Sequence, residues 1–155
     1  MGGKMLTVDT REKWTQKGNT DSHIKDYFDK HKIVYKVAKL DEGDYQSEDN
    51  PFVTVDRKMD MGEMYTCVAS DKSRFLKEVR RCHEKGIKLY VLIEHGGQIK
   101  SLADVPMWQP KYGKISSREI AERMYRLHIS YGVEFVFCDK RSTGRKIVEI
   151  LSQNC

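Results

Sequence analysis

The run IKLYVLIE, residues 87–94, constrains what this chain can fold into more than any other stretch. It is far too short to cross a membrane, and it is apolar enough to be a strand buried on both faces. Such a strand lies inside a sheet whose two sides are covered, so the neighbouring segments must supply the covering helices. ASDKSRFLKEVRRCHEKG, just upstream, is expected to be a helix capped by Ser70 or Asp71 and stopped by Gly86. Its Phe75, Leu76, Val79, Cys82 and His83 share one side. Downstream, a long connection containing Lys, Pro and Trp leads to Ser116, which pairs with Glu119 as a capping box. The helix it opens carries Ile120, Met124, Leu127 and Tyr131 inward. VEFVF (133–137) reads as a further strand, and STGRKIVEILSQ as the last helix.

The first third of the chain follows the same logic. MLTV (5–8) reads as a short buried strand running into DTREK. TDSHIKDYFDKH reads as a helix capped by Asp21 or Ser22, with Ile24, Tyr27, Phe28 and His31 on one face. KIVYKVAKL (32–40) is strand-like, and residues 42–58 read as a hairpin turning at Asn50-Pro51. Helices between the later strands imply parallel neighbours, whereas the hairpin is antiparallel. The expectation is one α/β domain over residues 1–155, with a mixed central sheet flanked by helices.

Composition removes several function classes. The four cysteines form no zinc spacing and no disulfide framework, and no two of the five histidines stand at helical metal-binding spacing. With no signal-peptide core and no membrane-spanning run, a reduced cytoplasmic protein is expected. The net charge of +5, from 28 Lys and Arg against 23 Asp and Glu, permits a polyanionic partner.

The hairpin poses a question of its own. Asp56 and Lys58 are two apart in a strand and share a face, while Arg57 points to the other side. If the turn is centred on Asn50, paired residue numbers sum to 100 and Asp44 faces Asp56; shifting the centre by half a residue puts Val55 there instead. Like charges on paired strands destabilise the pairing. A divalent cation of the Mg²⁺ type takes hard oxygen ligands and would cancel the repulsion, and Asp9, ending the first strand, is a third acid that could converge there. Acids, cation and lysine together suit metal-assisted phosphodiester hydrolysis. Taken singly, EGDY reads as a polar turn and DRK as a solvated strand end.

Read together, VDTRE (8–12), GDY (43–45) and VDRK (55–58) resemble, in order and spacing, the XPF/Mus-type structure-specific endonuclease domain of the PD-(D/E)xK, restriction-endonuclease-like superfamily. YVLIE and YGVEFVF fit the same pattern, so the resemblance covers nearly the whole chain, and the SRFLKEVRR helix resembles that of short phage-type members, which carry an acid at the Glu63 position. It implies a restriction-endonuclease-like core and an Mg²⁺- or Mn²⁺-dependent endodeoxyribonuclease serving DNA repair or recombination. Metal ligands are implied at Asp9, Asp44 and Asp56, and a catalytic lysine at Lys58; Arg11, Glu12 and Glu94 would lie along the same edge. The family writes Glu-Arg-Lys where this chain has Asp56-Arg57-Lys58, and an acid four residues after the lysine where this chain has Gly62. Glu63 or Asp60 could supply that acid; Glu63, in the first turn of a helix after the strand breaks, is the expected one.

DNA, including branched or flap DNA, would be held through phosphates by Arg11, Arg57, Lys140, Arg141 and Arg145, with Lys100, Lys111, Lys114, Arg118 and Lys146 as further candidates. Trp108 could stack on an unpaired base or pack the connection onto the domain. Relatives of this kind pair through their helices, which makes a homodimer an expectation. The alternative from another class is a catalytically inactive module of the same fold that binds DNA or a partner subunit.

Overall fold

The computed structural model describes residues 5–17 and 22–153. Its strands are β1 (Leu6–Val8), β2 (Tyr35–Val37), β3 (Tyr45–Ser47), β4 (Asn50–Lys58), β5 (Lys88–Glu94) and β6 (Glu134–Cys138). Its helices are α1 (His23–Lys30), α2 (Met61–Ala69), α3 (Arg74–Lys85), α4 (Ser117–Tyr131) and α5 (Thr143–Gln153). One mixed sheet has the order β2-β1-β3-β4-β5-β6. β4, β5 and β6 run parallel, and β3 is antiparallel to both β1 and β4. The carboxyl ends of β1, β4, β5 and β6 therefore reach one edge of the sheet, where β3 begins.

β5 is buried on both sides, as its composition requires. Leu89, Val91 and Ile93 face a core shared with α2, α3 and α4, whereas Tyr90 and Leu92 face a second core shared with α1 and α5. Val91, Leu92 and Ile93 are fully excluded from solvent, each contributing about 1.5–3 kcal/mol of apolar burial. Among the described residues no helix is long and apolar enough to cross a membrane.

Local signals set most boundaries. Ser22 caps α1, its hydroxyl accepting from the Ile24 and Lys25 amides; Asp21, the other candidate, lies outside the described residues, as does Cys155. Ser116 caps α4 by accepting from the Glu119 amide.

Three expectations change. The helix expected from Ser70 or Asp71 starts later: after α2, which Asp60 caps, a break at residues 70–73 lets Ser73 cap α3. Ser73 accepts from the Leu76 amide and donates to the Cys67 carbonyl, which holds that corner. The strand expected over 32–40 shrinks to Tyr35–Val37, an edge strand with one neighbour. The hairpin turns at Glu48-Asp49, between the paired Ser47 and Asn50, so Asn50 and Pro51 belong to β4. The ladder changes register between Tyr45 and Ser47, and the exposed Pro51, which has no amide to donate, sits where pairing is broken.

Candidate active site

Beyond that irregularity, Tyr45 pairs with Val55, so the numbers sum to 100 and Asp44 stands beside Asp56 just past the end of the ladder. Gly43 sets this up. Its φ of +76° is one that side chains rarely adopt, and a Cβ there would lie 2.1 Å from the Thr54 hydroxyl oxygen. The Asp44 amide then donates to the Val55 carbonyl (2.7 Å), and its carbonyl accepts from the Asp9 amide (2.8 Å), tying β1 to β4 at the sheet edge. The Asp44 carboxylate accepts from the Arg57 amide at 2.8 Å.

Asp56 and Lys58 do share a face, with Lys58 Nζ 3.2 Å from Asp56 Oδ1. Phe75 lies under the ammonium, 5.0 Å from its ring centre. Burial would lower the Lys58 pKa, but Asp56 outweighs it and holds the lysine protonated. Asp44 moves the opposite way: burial, then Asp56, then Glu12 push its carboxyl well above the usual range. Asp44, Asp56 and Lys58 line a cavity of about 440 Å³, together with Arg11, Glu63 and Glu78. A larger cleft of about 690 Å³ beside α4 and β6 holds none of these acids.

Glu63 lies in the first turn of α2, and its Oε1 accepts from the Met59 amide at 3.0 Å. Asp60 has turned away to accept from the Glu63 amide at 2.7 Å, the outcome expected if the strand breaks before Gly62.

Glu78 was not singled out from the sequence. Burial, followed by the charge of Asp56 and a hydrogen bond to it, pushes its carboxyl up to about 8, and its Oε1 has no hydrogen-bond partner. The signal was present: Glu78 is three residues after Phe75 and four before Cys82, both buried, so a carboxylate sits on the inward face of an amphipathic helix.

Asp9 is at the same edge, but its carboxylate is committed. Oδ2 accepts from the Arg11 amide (2.9 Å) and guanidinium (2.5 Å), and Oδ1 accepts from the Leu40 amide (2.7 Å). Burial would raise this carboxyl, but those partners prevail and hold it below the usual range. Fully buried and absent from the cavity wall, Asp9 stands here as the anchor of the β1 exit, not as an open ligand. Among the described residues, no group of three or more His, Cys, Asp or Glu side chains is arranged to hold a metal ion.

Arg57 also departs from expectation. On the opposite face from Lys58, its Nε donates to Glu12 Oε2 at 2.8 Å, Nη2 donates to Glu12 Oε1 at 3.3 Å, and Nη1 donates to Glu94. The network continues from Glu12 to the Tyr45 hydroxyl and Trp14, and from Glu94 to His23 at 2.8 Å. Only 11% of the Arg57 side chain is exposed, so its two carboxylate partners, not DNA phosphates, account for its position.

Solved structures share the architecture, among them two of Aeropyrum pernix XPF. XPF from Aeropyrum pernix matches with a TM-score of 0.70 at 17% identity, covering 97% of this chain and 64% of that one. A complex of Aeropyrum pernix XPF with DNA matches with a TM-score of 0.69 at 17% identity, covering 98% of this chain and 65% of that one. The fold is the XPF nuclease fold. At this identity the likeness establishes the fold alone, and the chain spans just under two thirds of the XPF chains it matches. No protein-family model matches the chain, and no curated protein does.

In this XPF-type sheet the other basic candidates divide. The Arg11 side chain is 65% exposed at the cavity rim, although Asp9 holds its Nε. Lys140 and Arg141 are exposed in a one-turn 3₁₀ segment that follows β6, at the same edge as the acids. Arg145 is exposed on α5, and Glu149 accepts from it (3.2 Å) and pairs with Lys146 (3.4 Å). Lys13 and Arg74, not chosen from sequence, also line the cavity.

Proposed function

We propose that this chain is a metal-dependent DNA endonuclease that hydrolyses phosphodiester bonds, acting on branched or flap DNA. The observation that carries the reading is the convergence of Asp44 and Asp56 beside Lys58 at the carboxyl edge of the sheet. Burial and the neighbouring Asp56 charge raise the proton affinity of Asp44, and Glu78 Oε1 has no hydrogen-bond partner, so a cation in this cavity would relieve both. Mg²⁺ is characteristically bound through one or two carboxylates, with waters and substrate phosphates completing its shell. Asp44 and Asp56 line the cavity and fit that requirement; Asp9, fully buried behind Arg11 and Leu40, does not line it. A bound Mg²⁺ or Mn²⁺ would supply Lewis-acid polarisation of the phosphodiester and activation of water.

The chain's own residues have separate tasks. Lys58, protonated and fixed by Asp56, faces the place where negative charge grows on the phosphoryl oxygens and stabilises it electrostatically. Glu78, which lines the same cavity and interacts with Asp56, is the carboxyl suited to hold or pass a proton there. Glu63 fixes the Met59 amide and so the exit of β4. Arg57 positions Asp44 through its own backbone amide while its guanidinium is held from behind.

DNA as the substrate is supported by the complex of the structurally similar Aeropyrum pernix XPF with DNA and by exposed Lys140, Arg141 and Arg145. The test is incubation with flap, fork, four-way-junction and duplex DNA, with Mg²⁺ or Mn²⁺ against EDTA. Cleavage of at least one substrate that EDTA abolishes is expected. Cleavage of none, with DNA still bound, would make the chain an inactive binding module.

A further inference from the structure

We infer that the cavity between α2 and the 95–116 connection receives an unpaired base of the DNA beside the cut, an inference that rests on the nuclease reading of the neighbouring acids. This cavity of about 490 Å³ is lined by Tyr65, His95, Trp108, Gln109, Lys111 and Tyr112. Its size falls within the range of small-ligand pockets. It adjoins the acid cavity across one short segment: Met59 and Glu63 line one, and Asp60 and Gly62 line the other.

The pocket is built in advance. The Tyr65 hydroxyl donates to the Ile115 carbonyl (2.8 Å) and accepts from the Ile115 amide (3.0 Å), pinning the connection to α2. Gly113 permits this approach: at φ +110°, a Cβ there would lie 2.3 Å from that hydroxyl. The Trp108 ring tilts against Tyr65 with centroids 5.7 Å apart, and its carbonyl accepts from the Ser117 hydroxyl at 2.5 Å. Trp108 is thus chiefly a wall. Tyr112 is different: 86% exposed, it offers an aromatic face at the mouth with Lys111 next to it.

Aromatic faces beside a phosphate-binding cation are how single strands are held without sequence preference, and the bases of a duplex, already stacked, cannot use them. Gln109 and His95 add polar edges a base can hydrogen-bond. The occupant is accordingly a nucleotide of a single-stranded segment.

The test measures binding in EDTA, so it does not depend on hydrolysis. Affinities of wild type, Tyr112→Ala and Tyr112→Phe are compared for a short oligothymidylate and a blunt duplex. Tyr112→Ala is expected to lose about tenfold on the single strand and nothing on the duplex, with Tyr112→Phe close to wild type. No loss on the single strand, or an equal loss on both DNAs, overturns the subsite. A protein that shows the selective loss yet cuts nothing would overturn the nuclease reading and leave this one standing.

Discussion

Arg57→Ala should cost far more in stability than in DNA affinity. The Arg57 guanidinium lies between Glu12 and Glu94, whose side chains are 9% and 3% exposed. Removing the arginine strands two buried carboxylates, one of which also accepts from the Tyr45 hydroxyl. Breaking a buried pair by deleting one partner costs about 3–5 kcal/mol, much of it the desolvation of the charge left behind. That is a large fraction of the roughly 5–15 kcal/mol that holds a domain folded, and it corresponds to a melting point lower by on the order of 10 °C. Urea denaturation of both proteins measures the loss, and restoring neutrality with Glu12→Gln and Glu94→Gln in the Arg57→Ala background should recover part of it. The slope of log affinity for duplex DNA against log salt should stay that of the wild type. A stability loss below about 0.5 kcal/mol, with a salt slope shallower by about one unit, would mean that Arg57 is a phosphate contact after all.

Other perturbations separate the remaining roles. Neutralising Lys140, Arg141 and Arg145 together should flatten the salt dependence of DNA binding, and an unchanged slope would place the phosphate track elsewhere. Glu63→Gln should slow single-turnover cleavage at saturating metal more than Asp60→Asn does, since Glu63 lines the acid cavity and Asp60 caps α2; the reverse order would move that role to Asp60. Burial would raise the Glu42 carboxyl, but Arg81 and Lys85 hold it below its ordinary 4.5. Its stabilisation is therefore full above that pH and fades as pH falls through the lower folded-state value. The stability gap between wild type and Glu42→Gln should be widest at neutral pH and close in acid; a gap that does not change with pH would refute the ion pair as its source.

Much of the architecture was legible because it follows from short-range rules. The apolar run at 87–94, the Ser22 and Ser116 caps and the alternation of Asp56, Arg57 and Lys58 each report a local preference that the tertiary structure then uses. The hairpin turn was misplaced because Asn50-Pro51 carries a strong turn composition, yet the sheet accommodates Pro51 at a register break. The helix before Gly86 was read correctly but its start was placed about three residues early, since the capping potential of Ser73 was hidden among Ser70, Asp71 and Lys72. In the site, spacing brought Asp44 to Asp56 but was silent on partners. That Asp9 is held by Leu40, 31 residues away, as well as by nearby Arg11, and Arg57 by Glu12 and Glu94, 45 and 37 residues away, depends largely on long-range contacts that no periodicity encodes. Glu78 could have been found from its place on an apolar helix face, although not its proximity to Asp56.

The central claim is that Asp44 and Asp56 bind a divalent cation for hydrolysis while DNA is held by other groups. The most direct measurement is cleavage and binding of flap DNA by wild type and Asp56→Asn, side by side, over a Mn²⁺ titration. The account predicts that Asp56→Asn abolishes cleavage at every Mn²⁺ concentration while binding the DNA in EDTA as tightly as wild type. Wild-type cleavage rates in the folded Asp56→Asn protein, or wild-type cleavage that persists in EDTA, would contradict it.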